Sequence, residues 1–125
     1  MRLYPVIYPR LPVTNLDRST GFYLELGFSL NQKLSSAERS AMNISAAIVL
    51  LLVPEPLGPA IRLALAFPTR ADVDDILSAC APGGGAVTSR ARVRRHGVYS
   101  GTATDPDGHP WEFLCLDSDR GDSGL

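Results

Sequence analysis

Hydrophobic and polar residues follow two alternating periods along this chain. Short runs with an apolar residue at every second position predict strands, and longer windows with apolar residues at i, i+3 and i+4 predict helices. Helices are predicted over residues 16–26 and 70–80. Strands are predicted over residues 6–13, 28–33, 40–44 and 46–53 in the first half, and over 61–67, 86–93, 98–104 and 111–116 in the second. Each half therefore reads as strand, helix, strand, strand, strand.

The two halves also correspond position by position, which indicates an internal duplication. Leu11 and Val13 on the first strand match Leu65 and Phe67. The buried stripes of the two helices match as well, with Phe22, Tyr23 and Leu26 in the first and Ile76, Leu77 and Cys80 in the second, where Val73 completes the stripe. Residues 54–59, which are rich in proline and glycine, form a stiff linker between the halves.

A tight turn precedes the last predicted strand. In Asp105-Pro106-Asp107-Gly108, we expect the Asp107 side chain to cap the turn and Gly108 to supply a positive φ. The strand that follows is apolar except for Glu112. A carboxylate buried without a partner costs several kcal/mol, so Glu112 is predicted to face a polar pocket.

Two motifs resemble those of the vicinal-oxygen-chelate superfamily, which holds glyoxalases, bleomycin-resistance proteins and extradiol dioxygenases. They are Leu11-Pro12-Val13-Thr14-Asn15-Leu16-Asp17-Arg18-Ser19 followed by residues 22–28, and residues 105–109 followed by Trp111-Glu112. The resemblance implies an α+β fold. Tandem βαβββ modules would form a curved mixed-sheet cup with the helices on its outer face, usually completed by dimerisation. One domain is expected over residues 1–117, with modules at about 4–54 and 60–117 and a disordered tail at 118–125.

The resemblance also implies four metal-ligand positions, which fall at Tyr8, Arg62, Glu112 and either Val49 or Leu51. Of these residues only Glu112 is a usual ligand, and Arg62 would repel a cation. The chain is therefore predicted to hold no metal and no other cofactor. A divalent metal stays the disfavoured alternative.

The cup that remains is predicted to bind a small molecule. Its ligand-binding candidates are Tyr8, Arg10, Arg62, Tyr99 and Glu112, and the two guanidinium groups suit a carboxylate or phosphate. In the alternative interpretation, Arg62 and Glu112 pair with each other and fill the cup. Glu112 and His96 are the candidate catalytic residues, because a carboxylate or an imidazole can act as a general base.

Two further groups of polar residues are interpreted as structural. We expect His109 to be a solvent-exposed turn residue. Arg90, Arg92 and Arg94 alternate, so they are predicted to share one face of a strand and to form a solvated hairpin surface.

Composition narrows the classes of function. A formal net charge of −1 argues against nucleic acid or an anionic membrane surface as partner. No apolar run is long enough to cross a bilayer. Cys80 and Cys115 lie in apolar patterns without metal-ligand spacing, which favours reduced core residues and a cytoplasmic location.

These observations predict a bacterial-type, metal-free, small-molecule-binding homodimer that resembles bleomycin-resistance proteins. Its cup would take an anionic organic ligand. Whether the chain is an enzyme stays open. The alternative is a glyoxalase-like lyase or isomerase, or a metal-dependent enzyme of the dioxygenase type.

Overall fold

The computed structural model describes residues 5–116, and the chain divides after Pro59 into two compact units. The first unit contains β1 (Arg10–Val13), α1 (Leu16–Glu25), β2 (Ser29–Leu30), β3 (Ser40–Ser45) and β4 (Ile48–Pro54). The second contains β5 (Leu63–Ala66), α2 (Arg70–Cys80), β6 (Ala86–Val93), a 3₁₀ turn (Arg95–Gly97), β7 (Val98–Thr104) and β8 (Pro110–Leu116).

Both units have the same sheet topology. The strand orders are β1-β4-β3-β2 and β5-β8-β7-β6, and neither sheet is closed. In each sheet the first and last strands of the unit pair in parallel, and the other neighbours are antiparallel. The predicted α+β fold with two βαβββ modules is therefore confirmed. The tail predicted at 118–125 lies outside the described residues.

Two predicted strands are shorter than expected, the first because of a proline and the second because of a side-chain hydrogen bond. The regular first strand begins at Arg10, although Ile7 still bridges Ile48. Pro9 between them has no N–H to donate to the ladder. The second strand ends at Leu30. Beyond it, the side chain of Asn31 accepts a hydrogen bond from the backbone N–H of Leu34 and begins a loop.

Helix α2 packs on one face of the second sheet. It begins with a capping box in which Thr69 and Asp72 bond to each other's backbone N–H groups. Its predicted stripe of Val73, Ile76, Leu77 and Cys80 is buried. The facing side chains of β8, which are Trp111, Phe113 and Cys115, are also buried. Because side chains alternate across a strand, Glu112 and Leu114 lie on the other face.

The glycine at position 101 sets how closely α2 approaches the sheet. Gly101 on β7 pairs with Phe113 and is buried. A Cβ atom at this position would lie 2.5 Å from Cδ1 of Leu77 and 2.9 Å from the carbonyl oxygen of Ser89. No larger residue fits without moving α2 or β6.

The turn before β8 is held by a different aspartate from the one predicted. Oδ1 of Asp105 accepts hydrogen bonds from the backbone N–H groups of Asp107 and His109, each at 2.9 Å. The cap is thus Asp105, because a side chain at the first turn position reaches the donors that follow it. Gly108 has the expected positive φ, at 88°.

Candidate functional site

The face of the second sheet that points away from α2 carries polar side chains. On this face Thr102 of β7 lies opposite Glu112 of β8, and Ser100 lies opposite Leu114. Glu112 and Thr102 are half-buried, and Ser100 is buried. The strand register therefore places one carboxylate and two hydroxyl groups on adjacent strands.

These residues line a cavity of about 550 Å³, which we call the β7–β8 cavity. Its lining combines three arginines, one carboxylate, three hydroxyl groups and one aliphatic side chain, all in the second unit. They are Arg62, Arg94, Arg95, Glu112, Ser89, Ser100, Thr102 and Val98. Three cations against one carboxylate give this part of the surface a net positive charge. The structure thus brings the predicted residues Arg62 and Glu112 to one site.

Arg94 is the most firmly held cation of the cavity. Its Nη2 donates to Oγ of Ser89 at 2.8 Å, to the carbonyl oxygen of Ser100 at 3.0 Å and to that of Arg90 at 3.3 Å. Its Nε also donates to the carbonyl oxygen of Ser100, at 3.3 Å. The side chain is half-buried across β6 and β7, so the fold fixes its orientation.

The alternative interpretation, in which Arg62 and Glu112 pair with each other, is wrong. Within residues 5–116, neither side chain makes an ion pair or a hydrogen bond with a protein group. The hydroxyl of Thr102, directly opposite Glu112, is instead hydrogen-bonded to Oγ1 of Thr88 at 2.6 Å. The half-buried carboxylate of Glu112 therefore accepts no hydrogen bond from a protein group in the described chain.

His96 lies beside the cavity but does not line it. It is exposed, with φ of 61°, and Gly97 follows with φ of 75°. These two left-handed residues reverse the chain between Arg95 and Val98, which both line the cavity. The catalytic role of His96 stays a prediction.

Tyr99 lies on the α2 face of the sheet, opposite to the face that carries Glu112. Its hydroxyl donates to Oδ1 of Asp74 at 2.6 Å, and the guanidinium of Arg70 lies 4.8 Å from its ring centre. The hydrogen bond to Asp74 raises the pKa of Tyr99. The alternation along β7 thus separates Tyr99 from the β7–β8 cavity, and its ligand-binding role stays a prediction.

Tyr8 and Arg10 belong to the first unit. Nε and Nη2 of Arg10 donate to the Glu55 carboxylate at 3.3 and 3.2 Å, and this hydrogen bonding raises the pKa of Arg10. Arg10 also lines a cavity of about 520 Å³ together with Lys33 and Arg39. Tyr8 is about half exposed. Their ligand-binding roles stay predictions.

The predicted shared face of Arg90, Arg92 and Arg94 is wrong for Arg90, whereas Arg92 and Arg94 lie opposite Ser100 and Val98 in the expected alternation. Ser89 and Arg92 pair with Thr102 and Ser100, so three steps along β6 oppose two steps along β7. This bulge breaks the alternation. As a result Arg90 lines a groove beside α2, whereas Arg94 lines the β7–β8 cavity.

Several cavity residues were not among the candidates predicted from the sequence, and the predicted exposure of His109 is wrong. Arg94 and Arg95 were not identified as site residues, nor were the hydroxyl groups of Ser89, Ser100 and Thr102. The alternation of Ser100 and Thr102 along β7 was the available signal. His109, expected to be exposed, is 8% exposed, because the Asp105 cap draws the end of the turn inward.

The described residues do not supply the set of donor atoms that a divalent metal needs. Leu11 pairs with Leu52 and Leu65 pairs with Phe113, so the first-half position that corresponds to Glu112 is Leu51. Across residues 5–116, no three histidine, cysteine, aspartate or glutamate side chains are grouped to hold an ion. Glu112 is thus left without a partner ligand of the usual types.

The chain belongs to the Glyoxalase/Bleomycin resistance protein/Dioxygenase superfamily, whose family model matches residues 6–113. This confirms the resemblance drawn from the two motifs. No curated protein sequence matches the chain.

Three solved structures illustrate the similarity in fold. A hypothetical protein from S. aureus is 25% identical, with a TM-score of 0.75 over 91% of this chain and 99% of the other. A glyoxalase/bleomycin resistance protein/dioxygenase family enzyme from Burkholderia phytofirmans is 12% identical, with a TM-score of 0.78 over 90% and 99%. Lactoylglutathione lyase from Agrobacterium tumefaciens is 17% identical, with a TM-score of 0.68 over 92% and 96%.

Across residues 5–116, no helix has the length and apolar character required to cross a membrane.

Proposed function

We propose that this chain is a metal-free small-molecule-binding protein, similar to the bleomycin-resistance members of its superfamily, and that it takes an anionic organic ligand in the β7–β8 cavity. The observation that carries this proposal is the presence of Arg62, Arg94 and Arg95 around one cavity. Guanidinium groups bind carboxylates and phosphates through paired charge-assisted hydrogen bonds. The volume of about 550 Å³ lies within the range of ordinary small-molecule sites, about 300–1,000 Å³.

Native mass spectrometry tests this proposal. Protein purified without chelator is incubated in turn with Ni²⁺, Zn²⁺, Mn²⁺ and Fe²⁺, and the mass of each species is recorded. We expect no stoichiometric metal uptake and, where a ligand co-purifies, the mass of an organic anion. One tightly held metal per subunit would overturn the metal-free assignment. It would also favour the glyoxalase-like or dioxygenase-type alternative.

The second candidate is a glyoxalase-like lyase or isomerase. It is favoured by Glu112, a half-buried carboxylate without a protein partner in the described chain, which is the arrangement a general base needs. Glu112→Gln separates the two candidates. In an enzyme, such as one with the lactoylglutathione lyase activity named for the Agrobacterium tumefaciens structure, this change would abolish turnover. In a binding protein it would only alter affinity.

We propose that the protein is a cytoplasmic homodimer. The first described residues of the chain support an interface between two copies, because Val6, Ile7 and Tyr8 expose apolar surface next to the edge strand β1. Cys80 and Cys115 are buried and form no disulfide within the described chain, which supports a reducing compartment. Light scattering after size-exclusion chromatography tests the assembly, and a monomeric mass would overturn the dimer.

A further inference from the structure

We propose that the ligand of the β7–β8 cavity carries two different groups. An anionic group would bind Arg94, and a hydrogen-bond donor, for which a protonated amine is best suited, would bind Glu112. This inference rests on the proposed function and adds the chemical class of the ligand. It follows from two observations: hydrogen bonds hold the Arg94 side chain in place, and the Glu112 carboxylate has no protein partner in the described chain.

Arg94 is prepared to bind an anion before the ligand arrives. Its Nε and Nη2 are engaged by the Ser89 hydroxyl and by backbone carbonyl groups. Its remaining amino group, Nη1, makes no hydrogen bond with any residue in 5–116. A side chain that is already ordered loses little conformational entropy on binding. Arg94 is therefore a better anchor than Arg62, which is exposed and makes no described polar contact.

Glu112 is not required by the fold. The corresponding position in the first unit is Leu51, so the same strand of a βαβββ module forms with an aliphatic side chain. A leucine at position 112 would also avoid placing a half-buried carboxylate without a protein donor. The carboxylate is therefore best explained by a group outside the described chain.

The charges of the cavity define what that group is. Arg62, Arg94 and Arg95 attract an anion, but Glu112 repels any ligand that is anionic along its whole length. A ligand that presents a donor to Glu112 turns this repulsion into a charge-assisted hydrogen bond. Glu112 thus selects organic anions that also carry an amine or hydroxyl group over those that do not, since specificity arises from such repulsive elements.

A matched series of small molecules tests this inference on the full-length protein. The probes are linear ω-amino acids from glycine to 6-aminohexanoate, each compared with the carboxylate and the amine of equal chain length. Binding is followed by ¹⁵N NMR titration at the backbone amides of Ser89, Ser100 and Thr102 and at the Nε–H of Arg94. The length series covers the unknown spacing between the two groups of the ligand.

We expect an ω-amino acid of one length to bind about tenfold more tightly than its matched carboxylate, the effect of one charge-assisted hydrogen bond. Glu112→Gln should remove this advantage without unfolding the protein, because the Glu112 side chain makes no hydrogen bond or ion pair within residues 5–116. Arg94→Gln should weaken the binding of every probe that carries a carboxylate. Arg90→Gln is the control, since it removes an equal charge from β6 on the side of α2.

Two results would contradict the inference in distinguishable ways. If plain carboxylates bind as tightly as ω-amino acids at every length, or if the advantage persists in Glu112→Gln, the donor-binding role is wrong while anion binding stands. If no carboxylate shifts the cavity resonances, or if Arg94→Gln and Arg90→Gln behave alike, the anion site fails and the proposed function fails with it. If Arg94→Gln does not fold, the Glu112→Gln comparison still decides the inference.

Discussion

Replacing Gly101 with alanine should destabilise the second unit through a steric conflict that the structure defines. The added Cβ would lie 2.5 Å from Cδ1 of Leu77, 2.9 Å from the carbonyl oxygen of Ser89 and 3.0 Å from the backbone nitrogen of Ala91. The leucine methyl can rotate away, but the two backbone atoms belong to β6. We therefore expect a loss of about 1–3 kcal/mol in the free energy of unfolding, the usual range for overpacking a core.

Urea denaturation measures this loss. Trp111 is the only tryptophan of the chain and is 2% exposed, so its fluorescence reports the unfolding of the second sheet. The control is Gly21→Ala in α1, where an added Cβ meets nothing within 4 Å, and its unfolding is followed by circular dichroism because α1 belongs to the first unit. That change should stabilise by about 0.5–1 kcal/mol, because alanine favours a helix more than glycine does.

A double-mutant cycle with Leu77→Ala separates the two parts of the conflict. Leu77→Ala alone should cost about 2–5 kcal/mol, since it leaves a cavity under α2. In that background, the loss from Gly101→Ala should fall by about 1 kcal/mol but not disappear, because the contacts with the β6 backbone remain. If Gly101→Ala does not change the stability, or if Leu77→Ala rescues it completely, the close approach of the β6 backbone to Gly101 on β7 is refuted.

Three further predictions concern caps and burial. Thr69→Ala removes the capping box of α2 and should cost about 1 kcal/mol in urea denaturation, whereas Thr69→Ser should retain most of the stability. Asp105→Ala leaves the part-buried backbone N–H group of Asp107 and the buried one of His109 without this acceptor, and a loss of about 2 kcal/mol is expected in the same assay. Burial raises the pKa of Cys80 from 9.0 to about 11, so the unfolded thiol ionises first and unfolding releases a proton between these values. Stability should therefore fall as the pH rises from 9.0 to about 11, and Cys80→Ala should reduce this fall but leave the part due to Tyr99, whose pKa is also raised.

Much of the fold could be predicted because it depends on local patterns. The stripe Val73, Ile76, Leu77 and Cys80 predicted α2 with the bounds that the structure has, since helical periodicity is a property of neighbouring residues. The duplication predicted two βαβββ modules, and both sheets have that topology. Glu112 could be predicted as a polar position on an apolar strand for the same reason.

The positions of the arginines and of Tyr99 could not be predicted, because they depend on pairing between strands. The bulge at Ser89–Arg92 moves Arg90 to the α2 side and Arg94 into the β7–β8 cavity, although simple alternation places them together. Tyr99 faces α2 because it pairs with the buried Cys115 of β8. The sequence around Tyr99 does not show which residue of β8 will lie opposite it.

The amino-acid sequence was sufficient to predict the duplicated modules, the bounds of α2 and the polar position of Glu112. Periodicity and turn chemistry act within a few residues, so these features can be recognised without knowledge of the rest of the chain. The α+β fold and the position of Arg62 followed from the family resemblance. The hydrogen bonds that hold Arg94 to Ser89 and Ser100, and the lack of a protein partner for Glu112 in the described chain, are seen only in the folded structure. Those features depend on strand register, and one additional residue in a strand reverses which side chains face the cavity.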